Sequence, residues 1–311
     1  MIHIEGISKS YGSFKALDNL NIQIAKGEFY SLLGPNGAGK TTCINILSNI
    51  IKANSGSIII DSLNIKDHLL EIKKKIGVVP QEIALYEDLT ALENLKFWGR
   101  INGVSAAVLD AKIDEVLDIM NLREHRHKLV SSYSGGMKRR INIAAALLHD
   151  PDILLMDEPT VGIDPQSRLF TYEIFEKLHQ EGKTILYTSH NMEEVERLSD
   201  RIGIIDHGRL IAEGTMSDLQ QELSLHETLK ISIARQEESS LPKAAELLDQ
   251  KKIKYKIIKE QLYIPTKESS GELMDLLQLF DHHHIKVSSV EVKKVNLEMI
   301  FLELTGKTLR E

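Results

Sequence analysis

The run GPNGAGKTT, residues 34–42, carries the most specific chemistry in the chain. It fits G-x-x-x-x-G-K-[ST], a loop whose glycines let bare backbone approach an anion. An apolar run, FYSLL, precedes it, and a helical run, TTCINILSNII, follows. In that setting the amides around Gly37 to Lys40 cradle phosphates. Lys40 brings a point charge to the outer phosphates, and Thr41 offers a hydroxyl to Mg²⁺. A second constellation ends the apolar run DILLM. Asp157 suits a metal-coordinating carboxylate, and Glu158 beside it suits a group that orients or deprotonates an attacking water. Gln81 follows IGVVP and can touch Mg²⁺ or its water through its carbonyl oxygen. His190 follows TILYTS and can donate to a γ-phosphate oxygen. Singly, a polar residue past a strand merely opens a loop; four strand ends with one chemistry form a site. A further anion trap is YSGGMKRRIN, residues 133–142. Ser134 can cap a helix, Gly135 and Gly136 leave the backbone bare, and a helix start favours negative charge.

These residues need elements to hold them. FYSLL, IGVV, ILLM and TILYT are nearly continuous apolar runs, as in strands of a parallel sheet covered on both faces. Ligands of such sheets bind at the carboxyl ends of the strands. Between Glu82 and His149 the pattern is mostly helical, with TALENLKFWGR and AAVLDAKIDEVLDIM, and implies a helical subdomain inserted into the sheet fold. His207-Gly208 reads as a hairpin turn between two strands. From about residue 217 the texture changes to a polar helical stretch and then to strand, helix, two strands around Lys259-Glu260-Gln261, helix and strand. That order is βαββαβ, a ferredoxin-like split βαβ unit, followed by a last helix, NLEMIFLELTG. The expected class is therefore α/β over residues 1–216, with a small α+β domain over 217–311.

The 311 residues are 42% hydrophobic and 27% charged, close to the globular average, so sizeable cores are expected. A net charge of -7 argues against nucleic-acid binding by bulk attraction. With one cysteine, Cys43, no intramolecular disulfide can form, which fits a reducing compartment. The N-terminus has no secretory pattern, and no segment reaches the roughly 20 apolar residues that span a bilayer.

Taken together, these motifs resemble the nucleotide-binding subunit of an ATP-binding cassette (ABC) transporter, over about residues 1–216 and in the family's order. The resemblance makes Tyr11 in SYGSF the aromatic that stacks on adenine. Gly34, Pro35, Asn36, Gly37, Ala38, Gly39, Lys40, Thr41 and Thr42 become the Walker A loop, and Gln81 the Q-loop glutamine. Ser134, Gly135 and Gly136 become the core of the family signature. LLMDEP is then the Walker B strand with catalytic Glu158, VGID the D-loop ending in Asp164, and His190 the switch histidine. Thr41, Gln81 and Asp157 are implied to hold Mg²⁺, while Lys40, Glu158 and His190 serve catalysis on ATP. Tyr133 and Met137 stand where the commonest signature has Leu and Gln. YSGGM, VGIDP and VNLEMIFLELTG resemble the branch that exports drugs, lipids, polysaccharides or ions. The implied partners are a second ATPase copy, identical or not, facing head to tail, and a separate multi-span membrane permease. No nucleic acid is implied. The implied location is cytoplasmic, peripheral on the inner face of the cell membrane. The alternatives are a soluble ABC ATPase with a non-transport role and a module that holds ATP without turnover; Glu158 and His190 argue against the latter.

Other features have plainer readings. Cys43 is expected to be a small packed side chain, with a redox switch as the alternative. His282-His283-His284 reads as a solvated turn, because consecutive residues do not share one face. The basic run REHRHK, residues 123–128, reads as a solvated loop, with lipid or partner contact as the alternative.

Overall fold

The strands form where the apolar runs lie, and they assemble in three sheets among the described residues. The computed structural model describes residues 1–222, 227–234, 240–266, 269–294 and 296–306. The chain divides into two compact units, Met1–Thr215 and a second that begins at Met216.

The first unit opens with β1 (Ile2–Tyr11), β2 (Phe14–Ile24), β3 (Phe29–Leu33), α1 (Lys40–Leu47), β4 (Ser55–Ile60), β5 (Leu63–Asn64), α2 (Leu69–Lys75) and β6 (Ile76–Val79). The helices α3 (Ala91–Ile101), α4 (Ala106–Ile119) and α5 (Gly135–Leu147) come next. It closes with β7 (Ile153–Asp157), α6 (Pro165–Gln180), β8 (Thr184–Ser189), α7 (Met192–Leu198), β9 (Arg201–Asp206) and β10 (Arg209–Gly214). The main sheet has the order β10-β9-β3-β8-β7-β6. Its β3, β6, β7, β8 and β9 run parallel, and β10 pairs antiparallel with β9 across the His207-Gly208 turn. The four apolar runs are thus four parallel strands, buried on both faces by clusters on either side. Burying each Ile or Leu stabilises the fold by roughly 1.5–3 kcal/mol.

β6 and β7 are neighbours, yet α3, α4 and α5 lie between them in sequence. This is the inserted helical subdomain. A capping box starts α3: the Thr90 hydroxyl accepts from the Glu93 amide at 3.2 Å, and Glu93 Oε2 accepts from the Thr90 amide at 2.8 Å. The basic run is tied into this layer. Arg123 donates to Asp114 and Asp118 of α4, and Arg126 to Asp114. Its arginines are therefore committed to an intramolecular ion-pair cluster.

A second sheet of the first unit, ordered β2-β1-β4-β5 and antiparallel throughout, was not foretold by the apolar runs. The N-terminal strand alternates Ile2, Ile4 and Ile7 inward, but its register shifts between Ile4 and Ile7, where Gly6 has φ 61°. The bulge breaks the period-two signal that marks such a strand.

The second unit consists of α8 (Met216–Glu222), β11 (Glu227–Ile233), α9 (Ser240–Gln250), β12 (Lys256–Ile258), β13 (Gln261–Thr266), α10 (Ser269–His282), β14 (Val287–Lys294) and α11 (Leu297–Thr305). Its sheet has the order β12-β13-β11-β14, antiparallel throughout, which is the ferredoxin-like arrangement of a βαββαβ chain. Lys259 and Glu260 both have positive φ, 48° and 61°, the two-residue turn that matches strand twist. Leu229, Ile231, Leu262, Ile264, Leu276 and Phe280 form its core. Asn296 caps the start of α11, and Gly306 ends it with φ 66°. His283 and His284 are an exposed turn after α10.

Candidate functional site

The loop between β3 and α1 is held from outside as well as by its own glycines. The Gly208 amide of the β9–β10 turn donates to the Ala38 carbonyl at 2.9 Å, and the Asp18 amide donates to the Gly208 carbonyl at 2.9 Å. Gly39 has φ 111°, and a Cβ there would lie 2.6 Å from the Ala16 carbonyl oxygen. Glycine at 39 thus answers both a backbone conformation and a packing demand. Gly37, with φ 81°, has open space around it. The first amides of α1 have no acceptor within the helix and form an anion cradle.

Lys40 is 4% exposed and strongly engaged. Its Nζ donates to the Gly34 carbonyl at 2.7 Å and the Pro35 carbonyl at 3.1 Å, and it pairs with Glu158 Oε1 at 3.0 Å. The other carboxylate oxygen of Glu158 lies 3.0 Å from His190 Nδ1. One buried carboxylate therefore joins the phosphate loop to the end of β8. Glu158 also has φ 44°, sparsely populated for a residue other than glycine. Its amide is held there by the Thr188 carbonyl at 3.2 Å and the Thr188 hydroxyl at 3.1 Å. The same hydroxyl donates to Asp157 Oδ1 at 2.7 Å. Thr188 thus sets both carboxylates of the β7 end, and no sequence pattern had marked it.

Asp157 is 3% exposed. Burial pushes its carboxyl above the usual range, against hydrogen bonds from Thr188 and Thr41. A divalent cation would reverse that cost, and a carboxylate bonded to the Thr41 side chain is a fitting donor set for Mg²⁺. Gln81 lies exposed just past β6, where its backbone rather than its side chain is tied down. Buried Arg139 of α5 donates to the Pro80 carbonyl at 2.9 Å and the Gln81 carbonyl at 2.7 Å. That strut between α5 and the loop after β6 also escaped the sequence.

At the signature, Ser134 caps α5, its hydroxyl accepting from the Met137 amide at 3.2 Å. The two glycines differ. Gly135 is open, with the Gly162 carbonyl 3.7 Å from a would-be Cβ, whereas a Cβ at Gly136 would collide with Ser167 Oγ. Gly136 is therefore required by packing against α6, in addition to any approach by a ligand. Tyr133 turns inward, donating its hydroxyl to the His125 carbonyl at 2.7 Å. Asp164 caps α6, accepting from the Ser167 amide at 2.9 Å; the Ser167 hydroxyl, and then that amide, hold its carboxyl below the usual range. Tyr11 is half exposed at the end of β1, with Lys9 Nζ 5.3 Å from its ring centre. It is not a core aromatic. Cys43 is buried, and its thiol is pushed up to about 12 by that burial, an inert packed side chain.

A phosphate loop between a parallel strand and a helix, with a carboxylate pair ending a nearby strand, defines a P-loop nucleoside triphosphate hydrolase. The family model described as "ABC transporter" matches residues 17–161. The linearmycin resistance ATP-binding protein LnrL of Bacillus subtilis (strain 168) is 42% identical over 311 residues, covering 100% of both chains. The daunorubicin resistance ATP-binding protein DrrA3 of Streptomyces coeruleorubidus is 34% identical, over 99% of this chain and 97% of its own. Among solved structures, a dimeric post-hydrolysis ATP-binding cassette bound to ADP and phosphate is 29% identical with a TM-score of 0.64. It covers 70% of this chain and 99% of that one. The chain belongs to the ABC transporter family, as an ATP-binding and ATP-hydrolysing subunit of the exporter class. The non-transport alternative is not favoured, because relatives named for drug resistance and for Nod factor export match 99–100% of the chain, second unit included.

Proposed function

We propose that two copies of the chain face each other head to tail and hydrolyse ATP at composite sites, driving export through a separate membrane permease. The observation that carries this reading is a division of labour. Lys40, Glu158 and His190 are joined within one chain, while Gly135 at the start of α5 has the Gly162 carbonyl 3.7 Å from a would-be Cβ and no phosphate-loop atom within 4 Å of it. A relative solved as a dimer with ADP and phosphate supports the pairing of two copies.

In this reading the α1 amides and Lys40 bind the phosphates of ATP, and Tyr11 meets adenine. Phosphate oxygens compete with Glu158 for Lys40. Glu158, so released, orients water or accepts its proton as water adds to the γ-phosphorus and the β–γ bond breaks, with ADP as leaving group. His190 donates to a γ-phosphate oxygen. Thr41, Asp157 and Gln81 would hold Mg²⁺, which neutralises phosphate charge when bound. The partner copy's signature helix adds its amides and dipole from the opposite side, with Asp164 beside them.

The permease would dock a helix in a 330 Å³ groove lined by Leu47, Ile50, Leu69, Pro80, Ala84 and Trp98, next to Gln81. Exposed Ile50, Leu70 and Ile101 supply apolar surface. No helix among the described residues is long and apolar enough to cross a membrane. The chain then works as a peripheral subunit on the cytoplasmic face. A shared site makes the Mg²⁺-dependent ATPase activity per molecule rise with protein concentration in dilute solution. Constant activity per molecule in a verified monomer would overturn the shared site.

A further inference from the structure

Glu194, on the helix after His190, is 4% exposed and has no ion-pair partner among the described residues. Its carboxylate is instead surrounded by hydroxyls. Thr160 Oγ1 lies 2.9 Å from both carboxylate oxygens, and Tyr187 donates to Oε2 at 2.7 Å. Ser189 Oγ donates to Oε2 at 3.1 Å, and Tyr172 also bonds to Glu194. Burying a carboxylate without a cation is costly, and only several good donors offset it.

The donors come from the segments that matter. Thr160 stands two residues after Glu158, and Ser189 immediately precedes His190. Tyr187 belongs to β8 and Tyr172 to α6, the helix whose Ser167 packs against Gly136. We infer that Glu194 is a positioning residue: its carboxylate clamps the loop after Glu158 to the end of β8, just before His190, and so fixes the catalytic pair. Four hydroxyl protons aimed at one group explain why the residue is Glu and not Gln. A carboxylate only accepts, whereas an amide would turn an NH₂ group toward donors. This inference rests on the proposed roles of Glu158 and His190.

The test uses the full chain. Glu194→Gln keeps the volume and removes the charge. It is expected to lower kcat at least tenfold, to change KM for ATP by less than threefold, and to leave Tm unchanged or raised. Thr160→Val cuts the same clamp from the other side, and the double variant should be no slower than the slower single one. Should Glu194→Gln fail to fold, Thr160→Val and Ser189→Ala give the same kcat-against-KM split. An unchanged kcat in the folded variants, or a kcat that falls only in step with Tm, overturns the clamp. Glu158→Gln, measured alongside, separates the two readings. Full turnover in Glu158→Gln sinks the catalytic assignment. Its loss beside unchanged Glu194 and Thr160 variants sinks the clamp alone.

Discussion

The end of β7 and the start of α5 both carry anion chemistry, but they are built in opposite ways. At β7, the carboxylates of Asp157 and Glu158 are buried and tied by Lys40, Thr188 and His190. At α5, Ser134 and Gly135 are exposed, and the helix start spends its packing on Gly136 against Ser167. The first region holds its groups for chemistry within one chain. The second offers amides and a dipole outward, to something its own phosphate loop does not present. In the proposed arrangement, a chain that bears one of each is half of two sites.

The largest effect is expected from Ser134→Arg. It fills the outward-facing half only, so turnover should fall by about 10²-fold, the effect of losing oriented donors. ATP affinity, read by fluorescence titration with a labelled ATP, should stay within threefold. Equal loss of both would show that the two regions are one.

Gly136→Ala sharpens the packing side. Alanine gains up to about 1 kcal/mol over glycine in a helix, less in the first turn. The clash with Ser167 costs about 1–3 kcal/mol, because both atoms sit close to backbone. The clash wins, so the unfolding free energy from denaturant titration should fall by about 1 kcal/mol, and Ser167→Gly should restore most of it.

The smallest effect lies beneath both regions. Burial holds the His149 imidazole below its ordinary range, while its bond to the Ile76 carbonyl acts the other way. The unfolded chain then binds the extra proton more readily. Stability is intact above about pH 6.5 and falls as pH drops through that value toward the folded one. Tm should be lower at pH 5.5 than at 7.5, and His149→Gln should flatten the difference. The exposed, paired Asp61 and Asp150 lose their contributions only further into acid.

Much of this was legible in the residues. GPNGAGKTT and its flanks marked the phosphate loop because glycine spacing and a strand–helix switch are local. The Lys259-Glu260 turn is local too. The hidden parts depend on long-range side-chain meetings. Thr188 reaches back to Asp157, Arg139 to the Gln81 carbonyl, and Glu194 to Thr160, over separations no motif spans. The strand at Ile2–Tyr11 was obscured by its own bulge. Tyr133, where the commonest signature has Leu, proves to anchor the preceding loop through the His125 carbonyl.

In the proposed mechanism a productive site needs two chains. Glu158→Gln keeps the side chain's size and removes its negative charge, so ATP should bind and persist. Light scattering of this variant with saturating ATP should give twice the monomer mass, and adding Ser134→Arg should return it to monomer. A Glu158→Gln protein that binds ATP fully and remains monomeric would contradict the account.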